Sequence, residues 1–381
     1  MQNVGQYFPG SPVCGARLFQ LRVLTMAQLT TSVGLLTSRE VGYRSHFHIG
    51  GVSVELSAER EVDVALLPSL EPFRMQNAFP DLRVRVTWTD LLTAEPTLPL
   101  FDSGTTWKAF EAENGLQFDF VSPRLGDQPY KRLRVDRRFG AAMLQMSRES
   151  FLNFPRDAEP LEYPLDELLI MHRLTQEQAI ELHGTGIVRG NGEANLFIGH
   201  SGAGKSTTTR LWTAVEDVEV LSDDRIIVRR DEASSVPEGP FEAAGDAGRH
   251  EVLRLRDCSA SRTNLSAQDD KRKGAAFKKK KCQMRMYGTP WHGEAMYASP
   301  GSAPLTRIFV LEHGHGNVIT PLAPSQAVAE LFARSFVPFH RHEYVNSALV
   351  FLEALANAVP VYRYAFEPDQ RAVEKIRNFH D

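Results

Sequence analysis

Cysteine is scarce in this chain. Cys14, Cys258 and Cys282 stand far apart in 381 residues, with no C-x-x-C pair and no cysteine–histidine spacing of a metal site. That argues against a disulfide framework and against structural zinc, and a reduced, cytoplasmic setting is expected. Long apolar runs are lacking too: none approaches the ~18 residues of a membrane span. Neither sign of charge dominates. The formal net charge is −4, so nothing draws the chain as a whole to nucleic acid or to an anionic membrane. The segment from Met1 to about Thr37 has no basic start, apolar stretch and small-residue cleavage site, so no secretory signal is expected. What remains is an ordinary globular composition, 42% hydrophobic and 24% charged. The length suits two domains, or one with additions.

Along the chain, residues 1–45 are read as an N-terminal tail of low order. Residues 46–165 alternate in short pieces. Phe47–Leu56 reads as a bent strand or hairpin, and Leu82–Trp88 and Gly115–Val121 have the period-two alternation of half-buried strands. This is a β-rich accessory module, for which docking and purely structural roles are both open. Residues 166–381 change character. Leu165–Met171 reads as an amphipathic helix. Two apolar runs around Gly190-Asn-Gly192 read as a hairpin. Val218–Leu221 and Arg225–Val228 read as a strand pair around an acidic centre. Leu305–Leu311 and Val361–Tyr364 read as strands. Ala327–Phe336, Val345–Ala356 and Asp369–Phe379 read as helices. Residues 232–282, rich in Ala, Ser, Gly and charge, are expected to be a mobile surface insertion. Within either basic run, Lys271–Lys273 or Lys278–Lys281, no aromatic residue is interleaved to stack on bases, and no nucleic-acid partner is expected.

One motif dominates the second half. Gly199-His200-Ser201-Gly202-Ala203-Gly204-Lys205-Ser206-Thr207 fits the phosphate-cradling loop G-x-x-x-x-G-K-[ST]. The apolar run Ala194–Ile198 precedes it and a helical segment follows. The glycines let successive N–H groups turn inward on phosphates, and the helix adds its positive end. Lys205 is placed for the β- and γ-phosphates and Ser206 for Mg²⁺, so ATP or GTP is the expected ligand.

Phosphoryl transfer also needs metal ligands and a group to activate an acceptor. Ser222-Asp223-Asp224-Arg225 supplies two carboxylates beyond one helix and one strand. One could hold Mg²⁺ and the other accept a proton from a hydroxyl. His183, in the hairpin before the loop, is open between a hydrogen-bonding and a catalytic role. Tyr287–Glu294 packs Gly, Pro, Trp, His and Glu into eight residues and reads as a shaped site edge. His292 and Glu294 are open between chemistry and loop packing.

Taken together, His183-Gly184, Phe197–Thr207 and Leu221–Val228 resemble the catalytic domain of HPr kinase/phosphorylase. Gly288–Glu294 and Ser335-Phe-Val-Pro-Phe339 resemble further motifs of HPr kinase-like proteins. The resemblance covers about residues 165 to 381 apart from the insertion. It implies an α/β P-loop kinase domain of the HPr kinase and phosphoenolpyruvate carboxykinase type, attached to the β-rich module. It implies ATP and Mg²⁺, with Gly199–Thr207 on the nucleotide and Ser206 and Asp224 on the metal. Asp223 would be the base, and His183 and Glu294 would join it in catalysis. The Gly- and Arg-rich signature that follows the acidic motif in HPr kinases is not present. The expectation is a cytoplasmic kinase acting on a hydroxyl, most simply serine of a protein or peptide. A small hydroxylated molecule as acceptor, or a regulatory ATPase with no acceptor, are the alternatives. No membrane partner is expected, and a homo-oligomer is compatible with the sequence.

Overall fold

Gly50 and Gly51 join the first two strands of the fold with φ of +58° and +84°. Positive φ at both central residues is what a tight hairpin turn of matching twist requires. The computed structural model describes residues 42–76, 79–155, 158–230 and 283–380. Most of the expected tail, the 232–282 insertion and all three cysteines lie outside the described residues. Residues 42–381 form one unit, built on two sheets.

The first sheet contains β1 (Tyr43–Ile49), β2 (Val52–Ala58), β3 (Leu82–Thr89), β4 (Phe101–Asp102), β5 (Trp107–Ala112), β6 (Gly115–Ser122), β7 (Gly126–Asp136) and β8 (Ala141–Ser147). Their order is β1-β2-β3-β8-β7-β6-β5-β4. β2, β3 and β8 run parallel, and the rest pair antiparallel. In β3, Leu82, Val84 and Val86 are buried on one side, as period two demands. The short α1 (Arg148–Phe151) and then α2 (Leu165–Leu174) lead out of this half.

The second half continues with β9 (Ala179–Arg189), β10 (Ala194–Ile198), α3 (Lys205–Val215), β11 (Val218–Ser222) and β12 (Arg225–Arg230). After the insertion come β13 (Met284–Tyr287), β14 (Ser302–Pro304), β15 (Arg307–His313), β16 (Val318–Pro321) and α4 (Pro324–Phe332). The chain then forms β17 (Ser335–Phe336), α5 (His342–Ala358), β18 (Val361–Phe366) and α6 (Gln370–Arg377). The second sheet runs β14-β13-β12-β9-β10-β15-β18-β16. β10, β15 and β18 are parallel, while β9 lies antiparallel beside β10. The fold is mixed α/β.

Every residue of β10 is buried, because both faces of the sheet are covered. Leu196 and Ile198 enter the core beneath α4 and α5, with Phe351 and Leu352. Phe197 faces the other way, toward Trp212 of α3 and Ile376 of α6, and stacks on Phe309 at 5.3 Å between centroids. Truncating Phe197 to alanine would cost about 3–5 kcal/mol.

Three findings differ from the sequence reading. First, β11 and β12 do not pair with each other. Both pair antiparallel with β9, Val218 to Ser222 opposite Arg189 to Gly186 and Arg225 to Arg229 opposite His183 to Ala179. They are one strand direction broken at the acidic motif. The Ser222 hydroxyl accepts from the N–H groups of Asp224 and Arg225, both at 3.2 Å, which turns the chain there. Second, the helix expected over 327–336 starts earlier, with Pro324 at a first-turn position that needs no N–H. It ends at Phe332, and Ser335–Phe336 join β9 as a strand. Third, the core of the first sheet runs past the boundary expected near residue 165, through α2 to Ala179, and takes in two later residues. Ile227 and Trp291 belong to the apolar core of the first sheet, Arg229 Nη1 donates to the Gly50 carbonyl at 2.9 Å, and a Cβ on Gly50 would strike Ile227.

Candidate active site

The strand ends of the second sheet converge on His183. Its N–H donates to the Arg334 carbonyl at 2.8 Å, and its carbonyl accepts from Gly199 N–H at 3.4 Å. The next residue, Gly184, donates to the Asp224 carbonyl at 3.0 Å. The 199–207 loop, the acidic break and the start of β17 are therefore all fastened to two adjacent residues of β9.

The loop follows β10 and opens α3. Gly202 and Gly204 adopt φ of +80° and +99°, and a Cβ on Gly204 would lie 2.5 Å from the Phe366 ring. α3 has no side-chain cap. Its first intrahelical bond is Thr208 N–H to the Gly204 carbonyl at 2.8 Å, so the amides of Lys205, Ser206 and Thr207 are the unsatisfied donors of a helix start. Lys205 is buried, and its Nζ donates to the Gly199 and His200 carbonyls at 3.1 and 3.2 Å. Burial pulls its ammonium below the ordinary lysine value, with Asp224 opposing. His313 donates to the Gly202 carbonyl at 2.7 Å and steadies the loop from β15. His200 and Ser201 are exposed, and Gly202 meets nothing within 4 Å of a Cβ position.

The two aspartates have different surroundings. Asp223 is 1% exposed. Its Oδ1 accepts from Gly293 N–H at 3.0 Å and Tyr297 N–H at 3.2 Å, and its Oδ2 from Ala295 N–H at 2.8 Å. The carboxylate that the sequence reading made the base is enclosed by a loop of main-chain donors. That geometry makes it the anchor of the 288–299 segment. The same segment is tied by Ser222 Oγ to the Trp291 carbonyl, Thr289 Oγ1 to the Arg225 carbonyl, and Trp291 Nε1 to Asp166.

Asp224 faces the other way. Its Oδ1 lies 3.0 Å from His183 Nε2, its Oδ2 accepts from Arg225 Nη1, and its side chain keeps 25% exposure. Burial pushes this carboxyl up. The His183 hydrogen bond and the charges of Arg225, His183 and Lys205 outweigh it and leave the group below the usual carboxylate range. Phe336 closes the back, edge-on to the His183 ring at 6.0 Å and beneath the Arg225 guanidinium at 4.0 Å.

The structure thus brings together His183, Asp224, Lys205 and the loop backbone. Ser206 sits half-buried at the start of α3, and Thr207 beside it. Glu294 is exposed on the anchored segment and makes no hydrogen bond or ion pair among the described residues. It is near the site only through Gly293, whose Cβ position lies 3.0 Å from Asp223 Oδ2 and 3.3 Å from Asp224 Cβ. His292 is exposed as well.

Sequence reasoning missed Arg225, Phe336 and the buried Glu167 and Glu181. Arg225 follows the acidic pair directly, and Glu181 precedes His183 by two residues on the same face of a strand. Phe336 stood in a quoted motif, though it was assigned to a helix.

Among the described residues no helix is long and apolar enough to cross a membrane, and no three His, Cys, Asp or Glu side chains are grouped to hold a metal. No protein-family model matches the chain, and no curated protein matches it significantly.

Proposed function

We propose that this chain is an ATP-dependent phosphotransferase of the HPr kinase-like type, which moves the γ-phosphoryl group to a hydroxyl of a protein or peptide. The observation that carries the reading is the contact of His183 with Asp224, one strand away from a phosphate-type loop whose helix amides are free. A phosphate cradle alone fits any nucleotide-binding protein. A histidine oriented by a carboxylate beside it is what acceptor activation requires.

The residues present fit the nucleotide. Three uncapped amides, the open face at Gly202 and the Lys205 ammonium form a cradle for phosphates. They also fit Mg²⁺, which takes one or two protein ligands and completes its shell with phosphates and water. Ser206 and Asp224 would hold it. Bound Mg-ATP would supply the phosphoryl group and offset its developing charge. Lys205 would leave the Gly199 and His200 carbonyls to reach the phosphates. Asp224, held ionised by its neighbours, keeps the His183 ring oriented through Nε2. Nδ1 is then the face that accepts the proton of the acceptor hydroxyl. Asp223 holds the 288–299 segment against Asp224 and takes no proton.

The test is incubation of the protein with γ-labelled ATP and a cell extract, followed by mass spectrometry of labelled species. A labelled serine-bearing protein or peptide, lost in His183→Ala, is the expected result. ATP hydrolysis with no labelled acceptor, unchanged in His183→Ala, would favour a regulatory ATPase.

A further inference from the structure

Behind the His183–Asp224 pair lies a buried group of carboxyls with too few donors. Asp166 and Glu167 on α2 and Glu181 on β9 are all buried. Asp166 is satisfied by Trp291 Nε1 and by the Glu167 N–H, both at 2.8 Å. Arg225 is the shared cation for the others. Its Nε donates to Glu167 Oε1 at 2.8 Å, and the same Nε lies 3.5 Å from Glu181 Oε1. One N–H cannot serve both. Nη1 is already committed to Asp224. Glu181 has no solvent exposure, and neither of its carboxyl oxygens receives a hydrogen bond. The small cavity beside it, about 10 Å³, offers no rescue. Its other side-chain walls are apolar, except for Thr175, whose hydroxyl donates to the His172 carbonyl at 2.7 Å. A water there would lack the two to four polar partners it needs.

An ionised Glu181 would set two buried carboxylates, Glu167 and Glu181, beside the part-exposed Asp224 around one guanidinium. An uncompensated buried carboxylate of that kind costs several kcal/mol. We propose that Glu181 is a positioning residue: as a neutral acid it keeps its proton and donates a hydrogen bond to the Glu167 carboxylate, leaving the Arg225 charge free to fix Asp224. This rests on the reading of Asp224 and His183 as the acceptor-side pair. Burial, followed by the charge of Glu167, holds the Glu181 proton on well above the ordinary carboxylate range, with Arg225 opposing. Asp166 adds to that push, and Lys131 stands beyond Asp166. Phe336 lines the cavity beside Glu181, and the Tyr163 phenol also faces Glu167, Arg225 and Glu181.

The test uses the full-length protein and three variants. Infrared difference spectra of wild type against Glu181→Gln at neutral pH are expected to show one carboxylic-acid C=O band lost. Identical spectra in that region would overturn the neutral state. Side-chain ¹⁵N resonances of His183 report the Asp224 contact with or without any kinase activity. They are expected to be unchanged in Glu181→Gln, which keeps a neutral donor, and displaced in Glu181→Ala and Arg225→Lys. A Gln variant displaced as far as the Ala variant would overturn the positioning role. In transfer assays the Gln variant is expected within about twofold of wild type and the Ala variant down by about tenfold or more, which is about 1.4 kcal/mol in the barrier. Absence of transfer in the wild type would sink the kinase reading and leave the spectroscopic results to decide this one.

Discussion

Replacing Asp223 by asparagine separates an anchor from a base. The carboxylate receives three main-chain N–H bonds, two on Oδ1 and one on Oδ2. Hydrogen bonds to a charged group contribute about 1.5–3 kcal/mol each. An asparagine with its oxygen at the Oδ1 position keeps the bonds from Gly293 and Tyr297, weakened by loss of charge. Its NH₂ group then meets the Ala295 N–H, donor against donor. The expected loss is about 2–4 kcal/mol, from one broken charged bond and two weakened ones. In a protein of this size that lowers the melting temperature by roughly 5 °C or more. Proteolysis within 288–299 should accelerate, since the anchor of that segment is weakened. ATP affinity should change by less than about fivefold, or 1 kcal/mol, because the proposed phosphate cradle is formed by other residues. The assays are thermal unfolding, limited proteolysis and calorimetry on one preparation. An Asp223→Asn protein that melts as the wild type does and resists protease equally, yet loses all transfer, would refute the reasoning and restore Asp223 as the base.

Three further outcomes are expected. Lys205→Ala should weaken ATP binding by roughly 30- to 100-fold, the loss of a charge-assisted phosphate contact of about 2–3 kcal/mol; unchanged affinity in calorimetry would remove the loop from the site. Gly204→Ala should destabilise the fold by about 1–3 kcal/mol, since φ is +99° and the new Cβ meets the Phe366 ring; a chemical-denaturation midpoint equal to wild type would contradict that. Burial lowers His172 to about 3 and His340 to about 4, so the unfolded chain binds more protons than the folded one between about pH 3 and 6.5 and stability falls as pH drops through that window. Asp166, raised by burial to about 7, acts in the opposite sense, contributing stability at low pH that is lost as pH rises toward 7. The informative quantity is therefore the difference between wild type and His172→Phe, whose stability should be flatter below pH 6.5 by up to about 1.4 kcal/mol per pH unit; identical slopes would count against a buried neutral His172.

The parts that could be read from sequence are those fixed by neighbours in the chain. The glycine-rich 199–204 loop is local, Gly202 and Gly204 supply positive φ, and the β9–β10 hairpin turns near Asn191-Gly192. β10 was recognisable as a strand, although the covering of both its faces depends on helices far along the chain. The aspartates were ambiguous because a strand break gives adjacent residues unrelated directions. Asp223 is enclosed only because residues 293–297 wrap it from seventy positions away. The carboxyl group around Arg225 joins α2, β9 and β12, and no local pattern announces it. β17 was misread because Ala327–Phe332 is helical and the next few residues continue its apolar spacing, while the pairing with β9 is a tertiary event.

The central claim is that a phosphate cradle and a carboxylate-oriented histidine act as one transfer site. Single-turnover transfer of labelled γ-phosphate to the acceptor, measured beside ATP affinity in wild type and Asp224→Asn, tests it most directly. The expected result is ATP binding within about tenfold of wild type, about 1.4 kcal/mol, with transfer reduced by at least a hundredfold, about 2.7 kcal/mol in the barrier. An Asp224→Asn protein that transfers phosphate at the wild-type rate would contradict it.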